Sequence, residues 1–210
     1  MRHFPFARSA LLALACLVAG TAAAAAQDPS PDAAKGRTEA TAPEAKPAAP
    51  KRETLDTLFS DLKRQRDPAE AKRIADRIWA RWRDSGSATG NILLQWADRA
   101  IAEKKHGLAL DLLDQITVLV PDFAEGWNRR ATLHFLMGNH DKSMADIDHV
   151  LRLEPRHFGA LAGMAAIFTA SGNDEMALRA WERMLDIYPA NREAQKQVGE
   201  IADRLAGSRT

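Results

Sequence analysis

The sequence predicts an all-α protein, a solenoid of about four helix pairs closed by a C-terminal capping helix. Three observations predict it. Pro121, Pro155 and Pro189 stand 34 residues apart, and Gly138-Asn139 recurs as Gly172-Asn173 at the same spacing. Such a fixed period marks stacked supersecondary units. Between these marks the apolar residues follow helical spacing. The composition is 46% hydrophobic and carried largely by Ala and Leu, which favours helices over sheets.

The first 26 residues read as a secretory signal. Arg2 and Arg8 precede an apolar run from Ala10 to Gly20, and Ala24-Ala25-Ala26 offer a cleavage site before Gln27. The run is shorter than the roughly 20 residues a membrane span needs. A cleaved, periplasmic protein is therefore expected, with no membrane insertion after cleavage; an uncleaved N-terminal anchor is the alternative. Cys16 lies within the run, with Ala13 and Leu14 where lipoprotein processing would want Leu and a small residue. It reads as apolar filler. Removing residues 1–26 takes away this one cysteine and two arginines, so the mature charge is 27 − 28 = −1. That balance gives no reason to expect a nucleic-acid partner, which needs a basic surface.

Residues 27–53 hold five of the ten prolines and no large apolar residue. They cannot bury enough surface to offset ordering entropy, so a disordered linker is expected. It could serve as a spacer or as a docking segment. The helical domain is expected over 54–208, with units at about 56–89, 90–123, 124–157 and 158–191 and a cap at 192–206.

In 124–157, Trp127, Ala131, His134 and Phe135 line one helix, and Met144, Ile147, Val150 and Leu151 line the next. Gly138 between them suits the left-handed residue that ends a helix, and Asn139 can cap its successor. The next unit repeats this with Leu161, Ala165 and Phe168, then Ala177, Trp181 and Met184. Asp67-Pro68-Ala69-Glu70 is a helix start with an Asp cap and proline in the first turn. In 192–206, Val198, Ile201, Ala202 and Leu205 form a stripe backed by Arg192, Glu193, Lys196, Glu200 and Asp203. Solenoids need such a polar-backed end.

These marks resemble the tetratricopeptide repeat (TPR) family, and in particular short secreted TPR proteins of Gram-negative bacteria. The family's repeat is a 34-residue helix pair with Trp, Leu-Gly, Tyr, Ala, Phe and a closing Pro. Trp127, Arg130-Ala131, His134, Ser143, Ile147 and Pro155 occupy those places in one unit; Leu161, Met164-Ala165, Phe168, Ala177, Trp181 and Pro189 do so in the next. Leu93, Trp96-Ala97, Ala100, Ala109, Leu113 and Pro121 fill the unit before, and 56–89 is a degenerate copy with Phe59, Leu62, Ala75, Trp79 and Trp82. The resemblance implies a right-handed superhelix. Two departures stand out. Arg130 replaces an apolar core residue, so packing is expected to bend around its alkyl stem. Lys104 replaces the turn glycine, so that turn is expected to shift toward Gly107.

No Walker loop, HExxH, nucleophile elbow, dinucleotide fingerprint or cysteine nucleophile is present. The reading is therefore no enzyme, no cofactor and no metal. His134 falls at a packing position, while His106, His140, His149 and His157 fall at turns or outer faces. Asp146 and Asp148 read as a solvated helix face, and the five tryptophans as core rather than a ligand platform.

What remains is binding. The resemblance implies a concave wall built from the first helix of each pair, where a peptide or partner helix lies. By register that wall contains Asn91, Gln95, Asp98, Asn128, Arg129, Thr132, Phe135, Ala162, Gly163, Ala166 and Thr169. Gly159, Ala162, Gly163 and Ala166 leave one stretch bare, either for close approach of a ligand or to pack a neighbouring helix. Asn128 and Arg129 could fix a peptide's polar groups. The carboxylate clamp of some family members is absent: its places hold Leu94, Asp98, Gly159 and Gly163. The expected function is a periplasmic adaptor or scaffold in cell-envelope maintenance or assembly; the alternative is a chaperone or holdase for exported proteins. The sequence leaves the partner and the oligomeric state open.

Overall fold

The computed structural model describes residues 53–207, and within them every regular element is a helix. The helices are α1 (Leu55–Arg64), α2 (Pro68–Trp82), α3 (Ala88–Ala102), α4 (His106–Leu119), α5 (Ala124–Leu136), α6 (His140–Leu153), α7 (Phe158–Ala170), α8 (Asp174–Ile187) and α9 (Arg192–Gly207). The expected signal and most of the expected linker lie outside the described residues.

Local chemistry sets the boundaries. Thr54 and Thr57 exchange backbone and hydroxyl hydrogen bonds at the start of α1. The Asp67 carboxylate accepts from the Glu70 N–H at 2.8 Å, with Pro68 opening α2. Gly138 and Gly172 take φ of +75° and +72°. The N–H groups after them, on Asn139 and Asn173, return to the carbonyls of His134 and Phe168 at 2.9 Å. This six-residue closure satisfies the helix's last carbonyls. Lys104 occupies the same register with φ +57°, and the Lys105 N–H closes on the Ala100 carbonyl at 2.8 Å. The turn therefore does not shift toward Gly107. The closure fixes where the left-handed residue must stand, and lysine takes it at about 1–2 kcal/mol. Asn173 caps α8 through the Met176 N–H at 3.2 Å, whereas the Asn139 side chain makes no such bond.

Helices α3/α4, α5/α6 and α7/α8 form antiparallel pairs, each stacked on the next, with α9 against α8. Small residues make the stacking close: a Cβ on Gly126 would stand 2.6 Å from Ile116 of the pair before. In α9, Ala194 and Ile201 face inward, while Ala202, expected in the stripe, is exposed.

The first hairpin departs from this order. Instead of stacking on α3, α1 packs against α8. Leu58, Phe59, Leu62, Ile78 and Trp82 enter the same apolar cluster as Phe158, Leu161, Trp181 and Tyr188. Arg156 pins the hairpin from outside, pairing with Asp56 at 2.7 Å and lying 4.1 Å over the Phe59 ring. Ile92 explains the detour. It holds the register place of Gly126 and Ala160, and its branched side chain blocks the close approach those residues allow. Left uncovered, Trp96 is 54% exposed, so it is not the core residue its repeat position suggested.

Arg130 does not merely snorkel. It makes a two-pronged ion pair with Asp146 at 2.7 and 2.9 Å and reaches back to Asp114 at 2.8 Å and Thr117 at 3.1 Å. Asp146, expected on a solvated face, is only 5% exposed. These carboxylates, Asp146 first, raise the already high pKa of Arg130. Asp148 does face solvent, paired with Arg152.

Candidate functional site

The first helices α3, α5 and α7 share an inner wall, and polar side chains stitch it together. Asp98 of α3 lies 3.2 Å from Arg129 of α5. Arg129 lies 3.3 Å from Glu125, and Glu125 lies 3.5 Å from His157 at the head of α7. Neither Arg129 contact has hydrogen-bond alignment, so both act as Coulombic pairs. Asn128 supplies the aligned contact, donating to the Glu125 carboxylate at 2.8 Å. Glu125 and His157 are 0% exposed. A buried carboxylate persists only when surrounded by such donors and cations.

Helix α2 lies on this wall. Arg83, its C-cap residue, pairs with Asp98. The Trp82 ring stacks on His157 with centroids 4.0 Å apart, and Trp79 stands edge-on to His157 and Phe158. A Cβ on Gly159 would come within 2.5 Å of the Trp79 ring; the glycine is there to admit the tryptophan. His157 also caps α7, its Nδ1 accepting from the Ala160 N–H at 3.1 Å. It stands at a turn, as expected, but it is a buried organising residue and not a surface histidine.

The predicted wall residues divide into four groups. Asp98, Asn128 and Arg129 converge in the polar cluster, already paired within the chain rather than free to anchor a peptide. Asn91 is taken up by the α2–α3 turn, accepting from the Ser85 N–H at 2.8 Å and donating to Asp84 at 3.0 Å. The Asn91 amide, and then the Gly86 N–H, lower the Asp84 pKa. Ala162 and Gly163 serve internal packing. Ala162 borders a cleft with Trp79 and Tyr188, and a Cβ on Gly163 would touch Ile147 at 3.3 Å. The bare stretch is therefore largely filled by neighbouring helices. Gln95, Thr132 and Thr169 are exposed, while Phe135 and Ala166 are half-buried. Phe135 stacks on His140. These five leave an open strip beside the docked hairpin.

The cleft between α2, α7 and the α8–α9 turn encloses about 530 Å³, with Lys72, Asp76 and Arg192 at its edges. Burial, and then the nearby Asp76 charge, push the Tyr188 hydroxyl pKa up. Among the described residues no three His, Cys, Asp or Glu side chains gather to hold a metal ion, and no helix is long and apolar enough to cross a membrane. Sequence reasoning missed Glu125, His157, Trp79 and Arg83 as wall residues. Glu125 alone had a signal, one helical turn before Asn128 and Arg129.

No protein-family model matches the chain. It is 63% identical over 159 residues to a TPR repeat-containing protein of Rhizobium etli, covering 76% of this chain and 78% of that protein. It is 27% identical over 108 residues to small glutamine-rich tetratricopeptide repeat-containing protein 2 of Saccharomyces cerevisiae, covering 51% of this chain but only 31% of the yeast protein. A partial match, 29% identical over 120 residues, spans 47% of a phosphoglycerate mutase from Cutibacterium acnes. Among solved structures, the first TPR domain of Spaghetti (RPAP3) bound to an HSP90 peptide superposes with a TM-score of 0.54. That match covers 57% of this chain and 95% of that one at 22% identity, and it speaks to fold alone.

Proposed function

The chain belongs to the tetratricopeptide repeat family, and on that premise we propose that it is a non-enzymatic protein-interaction module that holds a peptide or partner helix along its inner wall. The observation that carries this reading is α2 itself. The wall already holds one helix, through an indole on a glycine, an indole stacked on an imidazole, and an arginine paired to Asp98. The strip left open beside it, from Gln95 through Thr132 to Ala166 and Thr169, has the chemistry for a second segment. Its five residues are uncharged: an exposed amide on Gln95, hydroxyls on Thr132 and Thr169, and the apolar Phe135 and Ala166. The mutase match spans only 47% of that protein at 29% identity, against 78% at 63% for the TPR relative, and carries no weight against this reading. The apolar run of residues 10–20 and the Pro/Ala-rich 27–53 support export, and with it a role as adaptor or scaffold in the bacterial envelope.

A photo-crosslinking residue placed at Thr132 in living cells tests the proposal. One or two stoichiometric partners are expected, and Ala166→Arg, which projects bulk and charge over the strip, should abolish their capture. Asp148→Lys, on the opposite face, should not. Equal capture by all three proteins would refute binding at the wall, and a broad set of captured chains would indicate a holdase instead. Fractionation of the same cells should place a protein beginning near Gln27 in the soluble periplasm.

A further inference from the structure

Among the described residues, one end of the solenoid has no cover. On α3 and α4, Ile92 (45%), Trp96 (54%), Leu108 (51%), Val118 (78%) and Leu119 (59%) are all strongly exposed. Ile92 and Trp96 share one stripe of α3, and Leu108 and Leu119 one stripe of α4, by helical spacing. The later pairs show what normally happens at the α3 places. The 34-residue equivalents of Ile92 are Gly126 and Ala160, both buried by the preceding pair. The equivalent of Trp96 is Arg130, whose partners include Asp114 and Thr117 of the preceding pair. In the first pair nothing within the described residues takes that role.

We infer that this face docks a second copy of the same chain, in a two-fold, antiparallel contact of α3–α4 on α3–α4. Three observations select that occupant. An ordinary preceding helix pair is excluded, because Ile92 stands where close stacking requires Gly or Ala. Head-to-tail stacking is also excluded: the other end presents Arg192, Glu193, Lys196 and Glu200 on α9, all exposed, which would set charges against apolar groups. An isologous contact instead matches apolar to apolar. The ends of the face are oppositely charged. Arg99 and Lys104 stand near the α3–α4 turn, where Lys105 is already taken by Glu103 at 2.7 Å. Asp84 and Asp122 stand at the far end, both exposed. Antiparallel copies bring these opposite charges together, and parallel copies would oppose like charges. Five side chains at these exposures offer on the order of 500 Å² of apolar surface, so a two-fold contact removes about 1,000 Å², the lower bound of a specific interface.

Sedimentation equilibrium of the purified full chain over a range of concentrations tests this. The mass should rise from one chain to two, with half-association in the micromolar range expected of a small interface. Trp96→Glu, near the middle of α3, places like charges across the two-fold axis and should raise Kd at least tenfold, with unchanged far-UV circular dichroism. Lys104→Glu should weaken the dimer, and Lys104→Glu with Asp122→Lys should restore it. A single-chain mass at every concentration would overturn the inference. So would a dimer indifferent to Trp96→Glu, and a failed charge swap would overturn the antiparallel arrangement.

Discussion

Gly159→Ala tests directly whether α2 belongs on the inner wall. The added methyl would stand 2.5 and 2.8 Å from two carbons at the tip of the Trp79 ring, about 1 Å inside ordinary carbon–carbon contact. Trp79 has little freedom to withdraw, because Trp82, His157 and Phe158 hold it edge-on. Overpacking of this kind costs about 1–3 kcal/mol. Alanine gains under about 1 kcal/mol over glycine here, since residue 159 lies in the first turn of α7 rather than its interior. The net expectation is a loss of about 1–2 kcal/mol, a drop of roughly 2–8 °C in melting temperature for a domain of this size. Gly199→Ala is the matched control. It sits within α9 with no atom within 4 Å of the new Cβ, so it should stabilise by about 0.5–1 kcal/mol. Urea titrations of both variants, repeated in a Trp79→Leu background, complete a double-mutant cycle. With the ring tip gone, Gly159→Ala should become neutral or favourable. If Gly159→Ala stabilises as much as Gly199→Ala, or acts identically with and without the Trp79 ring, the docking of α2 on α7 is wrong.

Further expectations concern the turn, the ion-pair cluster and acid stability. Lys104→Gly should stabilise by up to about 1 kcal/mol in urea titration, because relief of the left-handed strain exceeds glycine's entropy cost. Arg130→Met should cost about 3–5 kcal/mol by leaving Asp146 buried and unpaired, and Arg130→Met with Asp146→Leu should recover most of it. Burial holds the His134 imidazole below its ordinary pKa against the Asp146 charge, with Arg130 and Lys142 adding to the depression. The unfolded chain therefore binds that proton more readily. The contribution is complete above about pH 6.5 and is lost as pH falls through that value toward the lower folded pKa. His134→Phe should flatten the fall in urea midpoint between about pH 7.5 and 5.5.

The helix pairs from α3 onward were legible because their signals are local. Pro121, Pro155 and Pro189, the Gly138 and Gly172 turns, and the apolar periodicity each act within a few residues. The Lys104 turn was misjudged because the six-residue closure outweighs the preference of the residue caught in it. The wall was legible only as a surface. Register placed Asp98, Asn128 and Arg129 on it but could not reveal that Glu125 and His157 lie beneath, or that Glu125 holds Asn128 by a hydrogen bond and Arg129 by charge. Asp146 looked solvated because the partner that buries it, Arg130, sits 16 residues away on another helix. The place of α1–α2 was the least legible feature. Phe59, Leu62, Ala75, Trp79 and Trp82 fit the repeat register, yet register carries no information about which neighbour a pair will choose.

That choice follows from two side-chain sizes taken together. Where a preceding pair would press on α3, the chain has Ile92 in place of Gly126 or Ala160. Where α2 presses on α7, it has Gly159 in place of a side chain. Bulk stands where no helix arrives and is absent where one does, so the hairpin buries Leu58, Phe59 and Trp82 against the far end of the solenoid. The energetic consequence reaches beyond the hairpin. In a simple repeat array each unit touches only its neighbours, and unfolding can begin at either end. Here the Arg156–Asp56 ion pair joins residues 100 apart, and α1 on α8 ties the first hairpin to the last pair. Fraying of α8 exposes the hairpin's apolar face as well as its own, and release of the hairpin uncovers Glu125 and His157. The two ends therefore stabilise each other, which favours one cooperative transition over stepwise loss of repeats.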